Sequence, residues 1–444
     1  MWTRVWQRVR ALSPLAILAI GFAALVIYAF PGFMSPDSCL QLSEARAGEY
    51  SNWHPPIMAA LWRQVDHIVP GPFGMLAIQA SAFLAGAYRL LCRAMSPRAA
   101  AWCAVGVLLF PPIVAPMAVV WKDCQMAAFF LLGFSLLLDE RPRNHWIGVA
   151  LLGLATGMRA NGLTGTLPLF AFAGWRAALA WWKQLAIGIV LWLAVSAAAF
   201  GVNTALTDHV NYAGTSILAF DVVGTLRYSR KYSDAELEEL LAGTPLVKHD
   251  QIDERARKLY APENFWDLMV GDNRLFDFPA TPEHVAAIQR AWREIVTAHP
   301  YGYLVHRWQV FRQNLALDKH QYNTVWAEPT IRTYTELHQD SNPSWLQQKL
   351  ANGLRAVAVH TPLFRGIIYF AVALVFLPLV WRERWLRALL ASGLCYELAL
   401  FLIAPGADFR YTHWLIITTV IVTIALFVRR FRATPGTGPH TVAK

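Results

Sequence analysis

Long apolar runs set the pattern of this chain. They lie at residues 12–30, 73–95, 99–120, 124–138, 184–205, 366–381, 388–404 and 412–428. Each is near the length of roughly 20 residues that carries a helix across a hydrocarbon core of about 30 Å. A further apolar stretch, 146–182, is broken by Met158-Arg159-Ala160-Asn161-Gly162. It reads as a hairpin of two short spans or as a re-entrant loop, and either version enters and leaves on one side. The pattern predicts an all-α polytopic membrane protein with about ten transmembrane helices. The first run follows Arg4, Arg8 and Arg10, is long, and lacks a small-residue cleavage site. It therefore reads as a retained signal anchor.

Two outer segments interrupt the runs. Residues 31–72 form a first outer loop, in which Ile57, Met58, Leu61, Trp62, Val65, Ile68 and Val69 repeat at helical spacing. That spacing predicts an amphipathic helix lying in the membrane interface. Residues 206–361 form a mainly helical outer insert between the seventh and eighth spans, of about domain size. Its helical patterns fall at Asp234–Leu241, Ile252–Leu259 and Thr281–Leu317, and Ile288, Trp292, Ile295 and Val296 line one face of the last. The expected organisation is a seven-span module over 1–205, the insert over 206–361, three spans over 362–428 and a tail over 429–444.

A hydrophobic share of 56% and a mean hydropathy of +0.35 exclude a disordered chain. Five cysteines are too few for a disulfide framework. Cys39 and Cys124 both fall near the outer surface, and reduced thiols are the preferred reading of the pair. A net charge of +10 would suggest nucleic acid in a soluble protein. Here the cations cluster at alternate loops, including Arg89, Arg93 and Arg98, then Arg141 and Arg143, then Arg382, Arg384 and Arg387. The short loops on the other side hold Arg46, Arg63, Lys122, Arg159 and Arg410. By the positive-inside bias, both termini are expected in the cytoplasm and residues 206–361 outside. The excess charge is topology, and no nucleic-acid partner is expected. The lack of an Asn-x-Ser/Thr sequon fits a bacterial inner membrane, with the insert periplasmic.

The candidate chemistry gathers at the outer ends of the runs. Asp37 follows the first run within Ser35-Pro36-Asp37-Ser38, a sequence that also satisfies ordinary helix capping. Gln41 lies one turn later on the same face. His54 precedes Pro55-Pro56, where it also reads as a turn residue. Lys122-Asp123 sits at the outer turn between the third and fourth spans, where a lysine can snorkel and an acid can cap the next helix. Arg159 and Asn161 occupy the break at 158–162, and Arg410-Tyr411 precede the last span with Asp408. Glu397 falls inside the ninth span, where an acid is a functional candidate by default. Each has a structural reading of its own. Together they suggest a polar cavity opening outward, with one carboxylate among several cations. That combination suits transfer from a lipid-linked phosphate to a hydroxyl.

These residues resemble the GT-C superfamily of polytopic membrane glycosyltransferases, which use polyprenyl-phosphate sugars. The likeness rests on Asp37 after the first span, His54-Pro55-Pro56, outer Lys122-Asp123, Arg159-Ala160-Asn161-Gly162, and Arg410-Tyr411 before the last span. It covers roughly residues 1–205 and 362–428. It implies Asp37 as catalytic carboxylate with His54 beside it, and Lys122, Asp123, Arg159, Asn161, Arg410, Tyr411 and Gln41 as contacts to the lipid phosphate or substrate. Implied partners are a polyprenyl-phosphate-linked sugar, membrane lipids, and a lipid, glycan or protein acceptor. Many relatives carry a second acid near the first, but Cys39 stands where it would be. A divalent metal thus has no clear site, since Asp37 and His54 supply only two ligands. Two other readings stay open: an envelope oligosaccharide polymerase or ligase, and a transporter or flippase using Glu397.

Overall fold

The computed structural model describes residues 12–173, 179–318, 324–327 and 343–433. Arg4, Arg8 and Arg10, part of the 146–182 hairpin, and most of the tail over 429–444 lie outside the described residues. Within them the chain is helical, and no β-strand forms beyond isolated bridges.

Local chemistry sets the helix starts. Ser13 caps α1 (Pro14–Ala29), its hydroxyl accepting from Ala16 N at 3.2 Å, with proline at the first helical position. The first outer loop folds into α2 (Pro36–Ala47) and α3 (Pro56–Asp66). Arg63 reaches across to Ala45 O at 3.0 Å and Arg46 pairs with Asp66 at 3.0 Å. α3 buries Met58 and Trp62 of the predicted stripe, with Ala59 beside them, but it ends at Asp66, leaving Ile68 and Val69 exposed.

Next come α4 (Phe73–Leu91), α5 (Pro97–Leu108), α6 (Pro111–Met117), α7 (Lys122–Leu137), α8 (Pro142–Met158), α9 (Gly162–Ala171) and α10 (Trp181–Leu206). The run at 99–120 is not one straight helix, because α5 and α6 meet at 71°. Pro111-Pro112 supplies no backbone donors and biases Phe110 away from helical geometry. α4, α7 and α8 pack through small residues; a Cβ on Gly148 would lie 2.6 Å from Gly133 O. By length and composition, α4, α10, α19 (Arg384–Ile403) and the segment Phe409–Arg430 can each cross a membrane, and the bent pair makes a fifth. α1, α9 and α18 (Gly366–Leu379) are apolar but shorter, so about ten crossings stands as an expectation only.

The insert contains α11 (Ser216–Arg227), α12 (Asp234–Leu240), α13 (Ile252–Leu259) and a one-turn α14 (Trp266–Met269). The single helical pattern read over Thr281–Leu317 is two helices, α15 (Pro282–Ala298) and α16 (Pro300–Asn314). Pro300 breaks it at His299, again by restricting the preceding residue. The insert core, including Phe220, Val223, Ile288, Ile295 and Val310, continues into Leu400 and Ala404 at the end of α19. A polar cluster is sealed within it. Asp221 accepts from Trp292 Nε1 at 2.9 Å and pairs with Arg307 at 2.6 Å and His306 Nε2 at 3.0 Å. Because a carboxylate only accepts, His306 carries its proton on Nε2, and Nδ1 takes the Tyr260 hydroxyl at 2.9 Å. Burial lowers the His306 pKa despite Asp221, keeping the ring neutral. Arg307 also donates to Ala404 O at 2.9 Å, tying the insert to the membrane helices.

α17 (Trp345–His360) packs on α1, with Gln347 Nε2 donating to Phe30 O at 2.6 Å. After α18 and α19, α20 (His413–Ala433) completes the described bundle. Cys124 is a buried free thiol whose Sγ lies 3.2 Å from Pro116 O, and Cys92, Cys103 and Cys395 are free thiols as well.

Candidate functional site

The loops that end α1, α8 and α19 and the loop that starts α7 converge on one pocket of about 670 Å³. Local sequence fixes Asp37 there. Ser35 caps α2, Pro36 takes the first helical position, and Asp37 falls in the first turn, where the helix dipole favours an acid. The segment ahead of α2 is stitched to the one ahead of α7. Val120 N donates to Phe33 O at 3.0 Å, Ser38 Oγ donates to Val120 O at 2.8 Å, and Trp121 Nε1 donates to Ser35 Oγ at 2.7 Å. That stitching sets Lys122 against Asp37 and His54.

Asp37 is gripped from two sides. Arg410 Nη1 meets Oδ2 at 2.6 Å, and His54 Nε2 stands 3.6 Å from Oδ1. Burial alone would raise the Asp37 pKa, but Arg410, with His54 and Lys122, holds it well below the usual carboxylate range. His54 is lowered to about 4, first by burial and then by Lys122. Its neutral ring takes the Lys122 Nζ proton on Nδ1 at 2.6 Å. Lys122, just ahead of the span at 124–138, is itself lowered to about 7, chiefly by burial, with Asp37 opposing and Arg410 and Arg159 adding to the drop.

The other two cations are also matched. Asp123, 1% exposed, pairs with Arg159 from behind the pocket wall. Arg159 lies over the Tyr411 ring at 4.3 Å. Asp408 pairs with Arg410 Nε at 3.2 Å and caps the turn by accepting from Arg410 N at 3.1 Å. Lys122, Arg159 and Arg410 are thus balanced by Asp37, Asp123 and Asp408. An incoming anion must take cations from acids already holding them.

Of the residues singled out in the sequence, Asp37, His54, Lys122, Arg159, Asp408, Arg410 and Tyr411 line the pocket. Asp123 stands behind Arg159. Gln41 and Asn161 are buried and do not line it, and Asn161 lies beside Tyr396. Glu397 is fully buried in α19 and also lies off the pocket. Among the described residues no group of three or more His, Cys, Asp or Glu is placed to hold a metal ion. Sequence reasoning missed the insert's share of the wall, which includes Glu263, Asn264, Trp266, Asp267 and Trp326. Glu263 O accepts from Ala407 N at 2.7 Å, so the insert's loop rests directly on the loop between α19 and α20. Gly406 permits this approach, since a Cβ there would strike the Glu263 backbone. Trp266 is 46% exposed and sits 6.2 Å from the Trp53 ring, making an aromatic wall. The trace available in sequence was the run Glu263-Asn264-Phe265-Trp266-Asp267, acids flanking an aromatic pair.

No known family model matches the chain, and no curated protein matches it. Two solved structures of ArnT from Cupriavidus metallidurans are similar to it. The form bound to undecaprenyl phosphate is 14% identical, with a TM-score of 0.34 over 91% of this chain and 77% of that one. The apo form is 14% identical, with a TM-score of 0.33 over 94% and 77%. At that identity and superposition the likeness decides nothing about chemistry, and the chain's own residues must carry the function.

Proposed function

We propose that this multi-pass membrane protein is a glycosyltransferase that moves a sugar from a polyprenyl-phosphate donor to an acceptor hydroxyl, on the periplasmic face of an inner membrane. The observation that carries this reading is the meeting of Lys122, Arg159 and Arg410 around Asp37 in one pocket at the ends of apolar helices. A lipid tail belongs beside those helices, and its phosphate belongs among the cations. The acceptor oxygen attacks the anomeric carbon as the bond from that carbon to the phosphate oxygen breaks. The phosphate leaves with the electron pair, and the acceptor proton passes to Asp37.

Electrostatics supports an ordered version of this chemistry. While Arg410 grips it, Asp37 is a poor base. A phosphate that draws Arg410 away raises the Asp37 pKa toward that of an ordinary carboxylate, so donor binding prepares the proton acceptor. Trp53 and Trp266 offer flat apolar faces suited to an acceptor ring, with Glu263 and Asp267 near for its hydroxyls. Mass analysis of envelope glycans and glycolipids with and without the gene tests the reading. One missing sugar residue is expected. A change in chain length would favour a polymerase or ligase, and an unchanged profile would remove the proposal.

Lys122 adds a pH signature. A sugar–phosphodiester donor carries one fixed negative charge, while free Lys122 loses its proton as pH rises through about 7. Binding needs the charged lysine, so affinity should be full below that point. Above it, affinity should fall about tenfold per pH unit. Titrating a donor analogue between pH 6 and 9 measures this, and Lys122→Arg should flatten the curve. A flat wild-type curve would take Lys122 out of the phosphate site.

A further inference from the structure

The opposite end of the bundle carries a second cavity, of about 340 Å³, where α9 stops at Ala171 and Phe172 beside the first turns of α10 and α19. α9 is only ten residues, about 15 Å, so it ends well short of a full crossing and leaves a notch between its neighbours. Arg384 and Arg387 line the notch with Gln184, and Trp181 and Trp381 flank it, 74% and 57% exposed.

The charge balance here is the reverse of that around Asp37. Arg384 Nη1 donates to Gln184 Oε1 at 3.1 Å, and Arg387 Nη1 donates to Trp381 O at 2.7 Å. Both are neutral acceptors. Arg387 Nε is buried and makes no hydrogen bond, and its guanidinium lies 4.5 Å from the Phe172 ring centre. Glu383, the adjacent acid, is engaged by Arg429 at 2.5 Å. Among the described residues neither Arg384 nor Arg387 meets a carboxylate. Two cations are therefore held side by side, pre-positioned by neutral groups, with a buried donor unused.

Such a pair calls for an anion, and its surroundings say which kind. Exposed indoles at helix ends are interfacial groups, and Phe172 with the tryptophans offers surface to a hydrocarbon chain. Free phosphate would gain nothing from that surface. We propose that this cavity binds the phosphate of an acidic phospholipid from the leaflet on that face, the guanidiniums taking the phosphate oxygens and Trp181 and Trp381 bracketing the glycerol and upper acyl carbons.

The test uses the full chain in detergent, washed free of bulk lipid and examined by native mass spectrometry after adding phosphatidylglycerol or phosphatidylcholine. Wild type should retain phosphatidylglycerol and not phosphatidylcholine. Arg384→Gln with Arg387→Gln should cut that retention at least tenfold. Arg141→Gln with Arg143→Gln, which removes two exposed charges on the same face, should not. Equal retention of the two lipids, equal loss in both double variants, or displacement by millimolar inorganic phosphate would overturn the proposal. If the first double variant does not fold, the thermal shift of wild type decides. Stabilisation by phosphatidylglycerol over phosphatidylcholine supports the site, and its absence refutes it.

Discussion

Asp37→Asn should leave the protein folded in the membrane and reduce sugar transfer roughly a thousandfold, within the range expected for loss of a positioned proton acceptor. Asparagine keeps the shape and can still accept from Arg410, so the stitching of α2 to α7 through Ser38 and Trp121 should survive. What it loses is the negative charge that opposes Arg410 and the oxygen that takes the acceptor proton. Donor binding should be retained or tightened, because Arg410 is no longer bound in an ion pair across the pocket. Transfer assayed with purified variant, together with donor affinity, separates the two effects. Near-normal glycan product from well-expressed Asp37→Asn would take the catalytic role away from this residue.

The second large effect concerns stability, far from the pocket. Asp221→Ala should destabilise the insert by about 3–5 kcal/mol, the cost of leaving a buried charge without its partner. Arg307 and Asp221 have side chains 0% and 2% exposed. The substitution strands the guanidinium and orphans the Trp292 and His306 donors together. Denaturant unfolding in detergent, read by protease cleavage within residues 206–318, measures it. A loss below about 1 kcal/mol would show that water or rearrangement compensates, and that the cluster is not what ties the insert to Ala404. Replacing the charged members together by apolar residues of similar volume should cost less than Asp221→Ala, since no charge is then left alone.

The parts of this molecule that could be read in advance are those governed by neighbours in sequence. Ser35-Pro36-Asp37 announces a helix start because capping is a matter of three or four residues, and α2 begins there. The α3 stripe was legible in part, because Met58 and Trp62 sit one turn apart on a single helical face. Two boundaries were missed although their signal was local: Pro111-Pro112 bends the third run and Pro300 divides the long insert pattern. In each, a strong apolar period outweighed the proline in the reading, whereas the backbone obeys the proline first. The insert's contribution to the pocket was illegible for a different reason. Glu263 is brought there by a backbone hydrogen bond to Ala407, and the glycine that permits it, Gly406, does not name its distant partner. Gln41 shares a helical face with Asp37 but falls in the packed interior, since sharing a face does not specify what the face meets.

Arg410 and Asp37 meet across 373 positions of sequence. During synthesis, therefore, the carboxylate emerges and enters the membrane interface long before the guanidinium that will hold it has been translated. Until then Asp37 has only His54 and Lys122 to face. Only when the hairpin of α19 and α20 inserts does the pocket acquire its second wall and its low-pKa carboxylate. A ribosome stalled before Arg410 would thus hold a precursor whose pocket lacks one wall, and supplying α19 and α20 as a separate peptide would complete it.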